Sequence, residues 1–311
     1  MKSILLGLFS LFISVGAFAQ STDSVWLFSY FVGNGEDGLH LAHSADGFTW
    51  NAIDSKASFL KPVLSPDKLM RDPCIIRGKD NRFHMVWTVS WTQRGIGYAS
   101  SPDLLNWSEQ QYIPVMEHEA KARNTWAPEI TYDPVQDEYM IYWATTITGT
   151  FPETQVQEDN AYNHRMYYVT TKDFKTFSDT KLLYEPGFNC IDASIVPYNA
   201  GWLMFIKDET RVPAQKNLKI AFADKLTGPY SAASAPITGK YWAEGPTVTK
   251  INGLWTVYFD KYTEHKYGAI QSANLKTWVD VSDKVQLPKG LRHGTVFQVS
   301  KAELQKILSA K

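Results

Sequence analysis

Apolar and polar positions alternate along most of this chain in short runs separated by Gly, Asn and Asp clusters. A helical period shows only over 302–308. The pattern predicts short strands. Five segments repeat one another, each with small or apolar residues, a polar pair, Asp or Asn, and a closing aromatic: LAHSADGFTW (41–50), YASSPDLLNW (98–107), YVTTKDFKTF (168–177), IAFADKLTGPY (220–230) and AIQSANLKTW (269–278). The closing aromatics are Trp50, Trp107, Phe177, Tyr230 and Trp278.

A second motif is interleaved with the first: a strand rich in Ile and Val, a turn, then an aromatic-rich strand. It occurs as RDPCIIRGKDNRFHMVWTV (71–89), WAPEITYDPVQDEYMIYWA (126–144), IDASIVPYNAGWLMFIK (191–207) and EGPTVTKINGLWTVYFD (244–260). The turns at 78–81, 199–201 and 252–253 have hairpin chemistry. A fifth copy is split, with RHGTVFQVS (292–300) supplying its first strand and SVWLFSYF (24–31) its second. Five such units predict an all-β, five-bladed β-propeller of four-stranded antiparallel blades, its ring closed by the N- and C-terminal strands. A sandwich or a pair of stacked barrels would leave the split repeat unexplained.

Residues 1–19 read as a secretory signal, with Lys2, an apolar run over 4–18, and Ala17-Phe18-Ala19 before Gln20. The run is shorter than the roughly 20 apolar residues of a membrane span, and no cysteine stands near it to take a lipid. Residues 20–311 are then the single propeller domain, expected in a periplasm or outside the cell. A net charge of -1 without basic clusters argues against nucleic acid as a partner. The two cysteines, Cys74 and Cys190, lie in apolar runs and read as buried free thiols.

The first strand of each propeller unit lies innermost, so the residues opening these strands share one mouth of the axial channel. Those openings read as Asp72, Ala127, Asp192, Glu244 and His293. An unpaired carboxylate is costly to desolvate, so three acids at one repeat position point to chemistry rather than packing. The competing reading leaves each as an exposed loop acid. Loops 33–37, 91–95, 145–165, 208–217 and 261–266 should form the rim, with the long third loop as a substrate lip.

The ordered set RDPCII, WAPEI, IDASIV, EGPTV and RHGTVF resembles glycoside hydrolase family 43 over essentially the whole mature chain. The resemblance implies Asp72 as general base, Asp192 as modulator of the acid's pKa, and Glu244 as general acid in an inverting hydrolysis. Inversion needs one carboxylate to activate water and another to protonate the leaving oxygen from the opposite face. The resemblance also implies an axial ion, commonly calcium, beside His293, with waters as the other ligands and no organic cofactor. Calcium prefers oxygen, so one imidazole is a weak sign, and a histidine bonded to core carbonyls or an acid is an equal reading.

Trp91 and Trp126, with Trp242, are candidate sugar-stacking faces; Asn124 and Arg292, with Arg123, are candidate hydroxyl binders. Glu129 faces the channel or pairs with a neighbouring blade. The expected partner is an oligo- or polysaccharide, and the expected activity an exo-acting α-L-arabinofuranosidase or β-xylosidase on plant polysaccharide. Two alternatives stay open: a retaining fructosidase-like propeller, which shares the RDP motif but would need an upstream Asn-Asp-Pro, and a sugar-binding propeller without catalysis.

Overall fold

The computed structural model describes residues 23–53, 57–156 and 159–310, so the expected signal segment lies outside the described residues. The chain begins with β1 (Ser24–Phe31), β2 (His40–Ser44) and β3 (Asn51–Ile53). Blade 2 follows as β4 (Arg71–Arg77), β5 (Phe83–Thr88), β6 (Ile96–Ser101) and β7 (Gln111–Ile113). Blade 3 is β8 (Trp126–Asp133), β9 (Glu138–Thr145), β10 (Arg165–Thr171) and β11 (Lys181–Tyr184). Blade 4 is β12 (Cys190–Tyr198), β13 (Gly201–Asp208) and β14 (Asn217–Ala223). Blade 5 is β15 (Glu244–Ile251), β16 (Leu254–Lys261), β17 (Lys266–Ser272) and β18 (Val279–Asp280). The last strand, β19 (Arg292–Ser300), pairs antiparallel with β1 and completes blade 1 in the order β19-β1-β2-β3. The innermost strands touch in the cycle β19, β4, β8, β12, β15 and back to β19, so the sheets form a closed ring of five blades.

Buried side chains fall into five clusters, one between each pair of neighbouring blades, and strand alternation explains the division. On β9, Met140, Tyr142 and Ala144 face blade 4, while Tyr139, Ile141 and Trp143 face blade 2. On β1, Val25 and Leu27 face blade 2 while Trp26, Phe28 and Tyr30 face blade 5. With both faces buried, the second strand of each blade reads as a continuous apolar run. Cys74 and Cys190 sit in two of these clusters as buried free thiols, their pKa values pushed up by burial.

The Asp-containing repeat is an edge turn with a structural task. Asp46 Oδ1 accepts from the backbone N–H groups of Phe48 and Thr49 at 2.7 and 2.8 Å, while Ser44 Oγ accepts from Gly47 at 2.9 Å. Asp103, Asp173 and Asn274 repeat this arrangement in blades 2, 3 and 5. Blade 4 departs from the four-stranded expectation and has three strands. Its outer segment bonds to β14 through the N–H groups of Ser231, Ser234 and Ile237, which reach Phe222, Ile220 and Leu218 carbonyls. That spacing advances three residues for every two on the partner, and Pro229 and Pro236 have no N–H to give. Regular ladder pairing is therefore lost.

Helix α1 (Lys301–Ser309) follows β19 directly and lays Leu304 and Ile307 on the blade 1–2 cluster. Ser300 and Glu303 form a capping box at its start. Arg77 of blade 2 bonds Glu303 at 2.7 Å, fastening the closing blade to its neighbour.

Candidate active site

Each inner strand opens with a β-bulge at the same mouth. The register breaks between Arg71 and Cys74, Trp126 and Glu129, Ile191 and Ser194, and Glu244 and Thr247, with a matching shift where β1 meets Arg292. The bulged residues Asp72, Ala127, Asp192 and Gly245 all have left-handed backbones, with φ of 53°, 47°, 57° and 57°. This corrects the alignment of the five openings. Gly245, not Glu244, is the counterpart of Asp72 and Asp192; Glu244 stands one place earlier, level with Arg71 and Ile191. Glycine at 245 is required by crowding as well as by φ, because a Cβ there would stand 2.5 Å from His293 Cγ.

Asp72 is held from two sides. Thr88 Oγ1 donates to its Oδ2 at 2.8 Å, and His293 Nδ1 lies 3.3 Å from Oδ1. Burial opposes its ionisation, but the His293 hydrogen bond and charge, with Arg71 and Thr88, outweigh it and bring the carboxyl down to about 2. Burial likewise works against a charged imidazole, yet Asp72, Asp192 and Glu129 raise His293 to about 9. Thr88 Oγ1 also accepts from the Ala127 N–H at 2.8 Å and so ties blade 2 to blade 3 at the mouth.

Asp192 Oδ2 accepts from the Gly245 N–H at 3.0 Å, which fixes the backbone beside Glu244. Burial pushes the Asp192 carboxyl up; His293 and Lys207 pull against it, and the Glu244 and Asp72 carboxylates add to it. Glu244 itself lies between two cations. Lys207 Nζ is 3.0 Å from Oε2, and Arg292 Nη2 is 3.2 Å from Oε1. Arg292 also reaches Asp260 at 2.7 Å, and Lys207 contacts Glu209. Thus Asp72 on blade 2 and Glu244 on blade 5, separated by blade 1, share one mouth with Asp192 of blade 4.

Residues 23–305 match a family profile, glycosyl hydrolase family 43-related, described as a probable glycosyl hydrolase domain. The chain belongs to this glycoside hydrolase 43-related family. An α-L-arabinofuranosidase of Bifidobacterium longum subsp. longum is 22% identical over 221 residues, covering 59% of this chain and 21% of that protein. The chain therefore spans about a fifth of the length of this curated relative. Among solved structures, the exo-β-1,3-galactanase of Phanerochaete chrysosporium superposes with a TM-score of 0.54 at 14% identity, over 76% of this chain and 53% of that one. The endo-arabinase of Bacteroides thetaiotaomicron gives 0.52 at 16% identity, over 72% and 84%. At these identities the structural likeness is one of fold.

The axial ion implied for this family 43-related domain would lie beside His293. Among the described residues no three His, Cys, Asp or Glu side chains converge as a metal cage, and His293 turns Nδ1 to Asp72. A single imidazole does not make an oxygen-rich calcium site. The protein would supply that imidazole alone, with waters as the other ligands, and the hydrolysis proposed for this domain does not run through the ion. Glu129 on β8 is buried, bonds Tyr142 at 3.1 Å and Ser194 of the neighbouring blade, and is pushed up to about 7, chiefly by burial.

The rim residues of the family 43-related domain divide. Trp91 is 41% exposed and lies edge-on to Trp126 at 5.5 Å, with the Arg71 guanidinium 4.3 Å over its ring. Tyr162 of the long loop extends the aromatic row, 4.8 Å from Trp126 and 4.1 Å beneath Arg123. Arg165 ties down the described part of that loop, donating to Asn163 and Thr154 at 3.0 and 2.7 Å beneath the Phe151 ring. Asn124 is a correction. It is fully buried, donates to the Ala144 carbonyl and accepts from the Thr146 N–H, so its amide is spent on the backbone. Arg292 reaches the site but is engaged by Glu244 and Asp260. Thr88, Lys207 and Asp260 were missed, although hairpin pairing places them opposite Arg71, Ile191 and Glu244.

Proposed function

We propose that this chain is an inverting glycoside hydrolase in which Asp72 is the general base, Glu244 the general acid and Asp192 the residue that tunes and orients the acid. The observation that carries the reading is the pairing of a carboxylate on blade 2, fixed at its two oxygens by Thr88 and His293, with a second carboxyl across the same mouth on blade 5. In the step, Asp72 takes a proton from water as the water oxygen bonds to the anomeric carbon. The glycosidic bond breaks toward its oxygen, and Glu244 hands that oxygen a proton. Asp192 holds the Gly245 N–H and so the acid's backbone.

For the substrate, the proposal is an exo-acted α-L-arabinofuranoside or β-xyloside of a plant polysaccharide, with the Trp91–Trp126 pair as the stacking face. The α-L-arabinofuranosidase among its relatives supports the arabinose reading. Export belongs to the same proposal and predicts a mature N-terminus at Gln20.

The test is hydrolysis of aryl α-L-arabinofuranoside, β-xyloside and β-galactoside by the purified protein, with Glu244→Gln beside it. Proton NMR of the first product should show the anomer opposite to the substrate's. Equal residual rates for wild type and Glu244→Gln would remove the acid, and a retained anomer would remove the single displacement.

A further inference from the structure

Lys207 is a buried lysine at the end of β13, its side chain 3% exposed, and the hairpin register sets it opposite Ile191, beside Asp192. Its ammonium bridges Glu209 and Glu244 and lies 4.8 Å over the Tyr262 ring. Glu209 in turn contacts Lys216, itself buried. On the other side of Glu244, Arg292 is shared with Asp260. The charges therefore alternate from Lys216 through Glu209, Lys207, Glu244 and Arg292 to Asp260.

Burying such a chain is a poor route to stability, because desolvation consumes most of the Coulombic gain. Its arrangement suits the acid better. When the leaving oxygen takes the proton, negative charge appears on Glu244, and donors already fixed at both carboxyl oxygens stabilise that charge without reorganising. Each donor is also shared with a second carboxylate, Glu209 for Lys207 and Asp260 for Arg292, which fixes the donor's position independently of the charge on Glu244.

We propose that Lys207 is a positioning residue for this reaction: held by Glu209, it orients Glu244 and stabilises the carboxylate formed as the acid releases its proton. This rests on the acid role proposed for Glu244. The test uses two aryl glycosides of the sugar the enzyme cleaves, one with a 2,4-dinitrophenyl leaving group that needs no proton and one with an unsubstituted phenyl group that does. Lys207→Met, with Lys207→Gln as a second neutral variant should the first not fold, is expected to lose roughly 10- to 100-fold in kcat on the phenyl glycoside, a part of what general acid catalysis contributes. Its kcat on the dinitrophenyl glycoside should stay within about threefold of wild type, and Lys207→Arg should restore most of the phenyl rate. Equal losses on the two substrates in a folded neutral variant would make Lys207 merely structural and overturn the proposal. Glu244→Gln separates the two levels: if it shows no leaving-group dependence either, the acid role itself falls, whereas dependence in Glu244→Gln alone removes only Lys207.

Discussion

Replacing Thr88 with Val tests the geometry around Asp72 most directly. The hydroxyl of the buried Thr88 makes two bonds, donating to Asp72 Oδ2 and accepting from the Ala127 N–H, both at 2.8 Å. Valine keeps the shape, so no cavity opens and the change is one of polarity. A hydrogen bond to a charged group contributes about 1.5–3 kcal/mol, and an orphaned buried N–H costs about 1–3 kcal/mol. The expected destabilisation is about 3–5 kcal/mol, read as a lower midpoint in urea, with Thr88→Ser near wild type because it keeps both bonds. The same change removes one of the groups that hold Asp72 down. Its folded pKa should rise but stay below the ordinary carboxylate value, since His293 and Arg71 remain. The acidic limb of kcat/KM, which follows ionisation of the base, should move up with it. A Thr88→Val protein with wild-type urea midpoint and an unmoved acidic limb would refute the bridge.

Four further variants are set by the same geometry. Gly245→Ala drives a methyl to 2.5 Å from His293 Cγ and should cost about 2 kcal/mol or more and most of the activity, checked by thermal unfolding and initial rates. Glu129 is raised to about 7, so its contribution to stability is complete below the unfolded value near 4.5 and is lost as pH rises through 7. Wild type should lose up to about 3 kcal/mol on this account between pH 5 and 8, with the raised Asp192 adding in the same direction, and Glu129→Gln should flatten the dependence in urea titrations. Trp91→Ala should raise KM about tenfold with stability nearly unchanged, whereas Asn124→Ala should cost about 2–4 kcal/mol with KM unchanged in the protein that folds.

The fold was legible because it repeats. Alternation gave the strands, and the split copy at 292–300 and 24–31 matches β19 and β1 residue for residue. Blade 4 was misread because its repeat keeps the aromatic Tyr230 while Pro229 and Pro236 withdraw the donors of a fourth strand. At the site, residues on repeat positions were found and their partners were not. Asp72 and Asp192 stand in the aligned motif, but Thr88, Lys207 and Asp260 reach the mouth from the second strand, where they end apolar runs that look like core. Asn124 was mistaken for the opposite reason, since adjacency to an opening in sequence says nothing about which way an amide points.

The one-residue slip of Glu244 ties these points together. In a strand, one step turns a side chain to the other face, so Glu244 and Asp192 could not both be read from a single repeat position. The bulge resolves the conflict by setting two consecutive residues at the head of each inner strand: Arg71 and Asp72, Trp126 and Ala127, Ile191 and Asp192, Glu244 and Gly245, Arg292 and His293. One place of each pair builds the pinned inner cluster of Asp72, Asp192 and His293, and the other presents Glu244 and Arg292 to one another. A left-handed residue costs of order 1 kcal/mol where it is not glycine, and three of the four such bulged positions are not. That strain, confined to one end of the inner strands, is what separates the chemistry of the mouth from the packing of the blades behind it.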